Sequence, residues 1–403
     1  MKSTRTFTTS EIENAKKYKY NGTDDSICAK LFLRRFWDWL IKFFSLSIAA
    51  NTITFIGFLF EFVSFIVSFS LSDCLESRIP VWSQILNGIS LFIYQTLDNL
   101  DGRQARRTGT SSPLGQFFDH GCDAITGVFI MIQVITTLNL GNTLESFIFI
   151  YLMGIGFALT SYEEYVTHSF YLGYLNAPDE GLLLLSILHI AVAIVPQIAE
   201  WLKDPIVYFL YLLGAGACIL PIIYNVIKKS ICNLEVRQRA IIGAIPLLLS
   251  IGLTALMITI NPAAVHNTFI IIFSSLLLQY QAQLTIVAYL VKREPKRLFD
   301  SSLYIFWSFI IAACLFSNFL VYSQLFWILS TYTLIIFIVI FDIGVVLSLS
   351  EGLKIPVFTV IPKDNLDMVE PENQNEIKLD IEEEDEKENT GLFEQEIIDK
   401  NQQ

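Results

Sequence analysis

Asp98 and Asp101 stand three residues apart, and Asp119 and Asp123 stand four apart, within stretches that are otherwise largely apolar. On a helix those spacings put each pair on one face. Two carboxylate pairs brought together away from water cannot all stay ionised without cations between them. Ligation by oxygen alone suits Mg²⁺, Mn²⁺ or Ca²⁺ rather than zinc. A hard divalent ion held this way implies phosphate chemistry, because it can bridge diphosphate oxygens and neutralise a leaving phosphate. Arg106 carries a planar guanidinium that could clamp the same oxygens bidentately. Gly115, Asp119, Asp123 and Gly127 recur every four residues as one stripe, and Gly102 and Ala105 are small on the partner helix. A nucleotide could slot between such faces. Acidic pairs in membrane helices also occur as structural ion pairs or as cation pathways, so a divalent-cation transporter is the alternative reading of these carboxylates.

The elements that must position them are membrane helices. Of 403 residues, 53% are hydrophobic and only 16% are charged, which is too apolar for an ordinary water-soluble chain. Stretches long enough to cross a hydrocarbon core recur at 47–71, 81–101, 115–138, 143–162, 181–199, 205–227, 240–260, 267–291, 302–322 and 325–350. The expectation is an all-α polytopic membrane protein with about ten transmembrane helices. Residues 1–46 are too polar for a secretory signal peptide, so the first span is expected to stay uncleaved. Within them Leu33, Phe36, Trp37, Leu40, Ile41 and Phe44 share a stripe opposite Arg34, Arg35, Asp38 and Lys42. That pattern predicts an amphipathic helix lying in the headgroup layer.

Lys and Arg gather in alternate loops, at Arg103, Arg106 and Arg107, at Lys228 to Arg239, at Lys292 to Arg297 and at Lys354, while the opposite loops hold only Arg78 and Lys203. Both termini are therefore expected on the cytoplasmic side. The net charge of -12 lies largely in the last forty or so residues, where the run Asp380 to Glu388 predicts a disordered acidic tail. The six cysteines form no Cys-x-x-Cys pair, so neither a zinc site nor a disulfide framework is expected. The expected organisation is a cytoplasmic segment at 1–46, catalytic helices at 47–200, additional helices at 201–352 and the acidic tail at 353–403.

The stretch from Asp98 to Asp123 resembles the signature of the CDP-alcohol phosphotransferase family, D-x2-D-G-x2-A-R-x8-G-x3-D-x3-D. Asp98, Asp101, Gly102, Ala105, Arg106, Gly115, Asp119 and Asp123 fill every fixed position. Tyr18 to Gly22, Phe36 to Trp39, Asn51 to Thr54, Ser111 to Gly115, Asp119 to Asp123, Glu163 to Tyr165 and Pro178 to Gly181 are similar to the eukaryotic choline and ethanolamine phosphotransferase branch. The resemblance implies two metal ions, Mg²⁺ or Mn²⁺, on Asp98, Asp101, Asp119 and Asp123. It also implies a CDP pocket lined by Asn51, Gly102, Ala105, Arg106 and Gly115. Its substrates would be CDP-ethanolamine or CDP-choline with diacylglycerol or an alkyl-acyl analogue, within membrane lipids. A homodimer in the endoplasmic reticulum or Golgi membrane is expected, with a cytoplasmic active site and no nucleic-acid partner. Asp123 or His120 would be the base, an imidazole being the better proton acceptor near neutral pH; Glu180 would orient His120 as a third catalytic member. Gln116, Ala177 and Tyr289 depart from the acidic residue, Gly and His usual in this branch.

Overall fold

The computed structural model describes residues 7–298, 301–316, 319 and 323–360. The expected acidic tail beyond residue 360 lies outside the described residues. After a short helix α1 (Thr9–Lys16), a strand β1 (Gly22–Asp24) and α2 (Arg34–Leu40), long helices follow: α3 (Ala50–Leu71), α4 (Val81–Thr108), α5 (Pro113–Leu138) and α6 (Leu144–Thr167). A strand β2 (Phe170–Leu172) precedes α7 (Leu182–Ile194), α8 (Gln197–Trp201), α9 (Pro205–Cys232), α10 (Leu234–Ile260), α11 (Thr268–Leu290), α12 (Ser301–Leu315) and α13 (Gln324–Leu353). Eight of the described helical stretches are long and apolar enough to cross a membrane, which makes this an all-α integral membrane protein.

The expected second span is α4, whose composition falls short of that standard although it runs for 28 residues. Its polar side chains point inward and meet partners on α3. Ser90 Oγ donates to Glu61 Oε2 at 2.6 Å, and Ser64 and Ser68 donate to Asn87 Oδ1 at 2.8 and 2.6 Å. Where water is absent such interhelical bonds satisfy groups that would otherwise be orphaned. On its other side α4 approaches α7 closely at Gly88, where a Cβ would lie 2.8 Å from the Ser186 carbonyl oxygen. Ser186 Oγ donates to the Gly88 carbonyl at 2.7 Å.

Helices α4 and α5 form a hairpin set by local chemistry. Gly109, at φ +64°, ends α4 in the left-handed conformation, and Thr110 N–H returns to the Ala105 carbonyl at 2.9 Å. Ser112 then caps α5 through the Gly115 N–H at 3.1 Å, with Pro113 in the first turn. Behind this hairpin α11 is almost wholly enclosed by neighbours, packing on α5, α6 and α13. The helices past residue 200 thus supply the core against which α5 is held.

The amphipathic stripe near the N-terminus forms, and it docks on protein. Leu33, Trp37 and Ile41 are buried with Ile53 and Leu100, whereas Trp39 and Phe43 remain exposed. Arg103 fastens this segment through Asp38 at 2.8 Å. Further upstream, β1 pairs in parallel with β2, matching Thr23 to Tyr171. Helix α1 is tied to the segment that follows α11, because Arg293 Nε donates to Glu11 Oε1 at 2.8 Å and Asn14 Nδ2 to the Val291 carbonyl at 3.2 Å.

Burial works to raise the Glu11 carboxyl, but the Thr8 N–H and Arg293 outweigh it and hold the group below the ordinary glutamate value. A carboxyl depressed on folding stabilises fully above its unfolded pKa of about 4.3 and loses that contribution as pH falls through the folded value. The protection of amides across residues 8–16 in detergent, taken relative to the intrinsic exchange rate at each pH, is expected to fall on acidification through that range. In Glu11→Gln that protection should already be low at neutral pH and should change little through the same range.

Candidate active site

Two turns of α4 and two of α5 face each other at the site. Asp98, Asp119 and Asp123 each offer a carboxylate oxygen, and these atoms all lie within 4.8 Å of one another. Two unit charges 4 Å apart repel by roughly 4 kcal/mol at an effective dielectric of about 20. No Lys or Arg offsets that repulsion by a salt bridge among the described residues. The Oδ1 atoms of Asp98 and Asp119 are buried without a hydrogen-bond partner. Open, buried, all-oxygen ligand atoms fit a hard divalent cation and little else.

The fourth acid is placed differently. Asp101, 5% exposed, accepts a hydrogen bond at Oδ2 from the Thr54 hydroxyl of α3, and it is not one of the three converging carboxylates. Tyr94 O–H donates to Asp123 Oδ1 in the same manner. These donors fix carboxylate orientation and leave each acid a second oxygen.

Around the trio, Asn51 and Gly115 are neighbours. A Cβ at Gly115 would lie 3.6 Å from both Asn51 Oδ1 and Ser112 Oγ, and a Cβ at Gly102 would meet only Arg106 Nη1, also at 3.6 Å. Protein packing alone therefore does not account for glycine at either position. Asn51 Nδ2 is already engaged, donating to the Val357 carbonyl of the segment after α13 at 2.9 Å. Of the three arginines ending α4, Arg103 is committed to Asp38 and the Asn99 carbonyl, and Arg107 to the Ile41 carbonyl and Gln104. Arg106 is exposed with no hydrogen bond or ion pair to the described residues, so its guanidinium is free to meet an anion. Ala105 lies beside it on α4, half-buried.

His120, half-buried on α5, sets its ring against Phe170 of β2 with centroids 5.5 Å apart. The expected orientation of this imidazole by Glu180 is not made in this structure. Glu180 Oε1 accepts from Ser26 Oγ at 2.6 Å and Cys28 N–H at 2.9 Å, and Oε2 accepts from Asn176 N–H at 2.9 Å. The cause is the pairing of β1 with β2, which lays the N-terminal segment across the loop before α7 and adds the donors of Ser26 and Cys28 to the local one of Asn176. Glu180 thereby fastens the strip that carries Phe170 beneath His120.

With that geometry established, the chain can be set beside known proteins. The profile of the CDP-alcohol phosphatidyltransferase family matches residues 47–361. The chain belongs to this family. An Arabidopsis thaliana choline/ethanolaminephosphotransferase 1 is 41% identical over 185 residues, 46% of this chain and 46% of that protein. The choline/ethanolaminephosphotransferase 1 of Saccharomyces cerevisiae is 34% identical over 192 residues, 48% of this chain and 49% of that protein. A Dictyostelium discoideum protein described as an uncharacterized CDP-alcohol phosphatidyltransferase class-I family protein is 42% identical over 199 residues, 49% of this chain and 50% of its own length. The chain thus spans about half the length of the curated relatives it matches. The family match leaves the transporter alternative without support.

The sequence reasoning missed Thr54 and Tyr94 as holders of the family's acids. Tyr94 stands four residues before Asp98 on one face of α4, a spacing that signals the contact; Thr54 lies on another helix and gives no such sign. Glu164, named only within the resembling stretch Glu163 to Tyr165, was given no role; its Oε1 accepts from Gln116 Nε2 at 2.8 Å.

Crowding three acids is expected to cost stability while they hold no ion. Asp119→Asn should therefore raise the melting temperature in chelator, gaining about 1 kcal/mol, and abolish the further rise that Mn²⁺ gives the unaltered protein. A melting temperature lowered in chelator would contradict mutual repulsion.

Proposed function

We propose that this protein transfers phosphoethanolamine or phosphocholine from CDP-ethanolamine or CDP-choline to the free hydroxyl of diacylglycerol, or of an alkyl-acylglycerol, with release of CMP. The observation that carries this reading is the trio of Asp98, Asp119 and Asp123, converging from the paired helices α4 and α5 with two buried oxygens left open. The names of the Arabidopsis and yeast relatives support the same reaction class.

Asp98, Asp119 and Asp123 would hold Mg²⁺ or Mn²⁺, and Asp101 beside them would complete a site for a second ion. Bound metal would supply positive charge to the diphosphate and stabilise the departing phosphate. Arg106 grips the diphosphate from the cytoplasmic end of α4. Asn51, Gly102, Ala105 and Gly115 border the nucleotide, with glycine where the backbone must come close. An imidazole nitrogen of His120 takes the hydroxyl proton as the glycerol oxygen bonds to phosphorus and the bond to CMP breaks. Asp123 is the weaker base, because it already accepts from Tyr94 and would ligate metal. Glu180 supports the base through the strip it fastens. The lipid reaches the site sideways from the bilayer, in a homodimer of the endoplasmic reticulum or Golgi membrane with the site facing the cytoplasm.

CMP release by purified protein in mixed micelles, with each CDP-alcohol and diacylglycerol, is the test. Turnover is expected to require Mg²⁺ or Mn²⁺, to vanish in Asp98→Ala, and to fall by about 10²–10⁴-fold in His120→Ala. Unchanged turnover in Asp98→Ala would discard the site assignment.

A further inference from the structure

Glu164 lies in the last turn of α6 and is only 1% exposed. Its Oε1 is taken by Gln116, while Oε2 is buried without a partner. No Lys, Arg or His pairs with it among the described residues. The nearby cations are committed elsewhere, Lys229 Nζ donating to the Thr167 carbonyl at 2.9 Å and Arg239 to the His168 ring. A carboxylate removed from water with one oxygen open calls for a positively charged or proton-bearing partner. Gln116 Oε1 is a second buried acceptor without a donor.

Tyr18 and Tyr289 pack in one cluster with Tyr165, the residue that follows Glu164. Tyr18, Tyr20 and Tyr289 all lie within electrostatic reach of Glu164. The Tyr18 and Tyr289 rings meet edge to face at 6.0 Å, with planes at 86°, so they form a corner. Aromatic faces with a carboxylate close by recognise organic ammonium groups, including quaternary ones that can donate no hydrogen bond.

The corner is also close to the carboxylate trio. Tyr20 lies within electrostatic reach of Asp119 and Arg106 as well as Glu164. Gln116 precedes Asp119 by three residues on α5, nearly one helical turn of about 5.4 Å. Four bonds separate phosphorus from nitrogen in phosphoethanolamine and phosphocholine, a reach of the same order.

We infer that Glu164 and Gln116, with Tyr18, Tyr20 and Tyr289, form the subsite that receives the ammonium end of the CDP-alcohol, an inference that rests on the function proposed above. Glu164 supplies charge to either head group. Gln116 Oε1 accepts from a primary ammonium and has nothing to accept from a trimethylated one, which relies instead on the rings.

Equilibrium binding of CDP-choline, CDP-ethanolamine and CDP-glycerol to the full chain in detergent with Mn²⁺ tests this, since CDP-glycerol lacks the ammonium. The unaltered protein is expected to bind both ammonium compounds about tenfold or more tighter than CDP-glycerol. Glu164→Gln should erase that preference and keep the CDP-glycerol affinity. Tyr289→Leu should weaken CDP-choline more than CDP-ethanolamine, with Tyr289→Phe restoring it, and Gln116→Leu should do the reverse. Preference surviving in Glu164→Gln, or equal loss of all three compounds, would overturn the subsite. An unaltered protein that binds all three alike would overturn it while leaving the proposed reaction standing. One that binds none would overturn the proposed reaction as well.

Discussion

Three carboxylates held together inside a membrane protein are the constraint to which the rest of the structure answers. Left alone they repel one another across a few ångströms, and the surrounding medium screens poorly. The protein meets this cost with rigid support. A left-handed glycine and a serine cap fix the hairpin between α4 and α5. The polar ladder from Glu61 to Asn87 locks α4 onto α3, and α11 fills the space behind α5. Hydroxyls from Thr54 and Tyr94 restrain the carboxylates without neutralising them.

Distant segments of the chain are also joined over the site. Residues 21–28 run beside residues 168–180 through backbone bonds and the Glu180 clamp, and the segment after α13 reaches Asn51. Phe170 and Phe358 are thus brought against His120 and Phe118 of α5 from two distant parts of the chain. Binding on such an enclosure depends on how these segments close together, more than on any single helix.

Much of this was legible from spacing. Helical periodicity alone put Asp98 with Asp101 and Asp119 with Asp123, and apolar run length located eight helices long and apolar enough to cross a membrane, while α4 forms where expected but is more polar than that standard. What periodicity could not convey was contact between separated segments. Thr54 is 47 residues from Asp101, so nothing local marks it as the donor that holds that acid apart from the other three. The engagement of Glu180 by Ser26 and Cys28 depends on a parallel strand pair that two three-residue strands barely advertise. The burial of α11 was equally hidden, because a helix that is apolar all round reads alike whether it faces lipid or protein. Its inward glutamines, Gln279, Gln281 and Gln283, were the available sign.

The most direct measurement is the position of Mn²⁺ by anomalous scattering in crystals grown with the ion and CDP-choline. The account predicts a peak bounded by Asp98, Asp119 and Asp123, with the nucleotide's diphosphate against it. A diphosphate bound elsewhere, or no peak among these three side chains at saturating Mn²⁺, would contradict it.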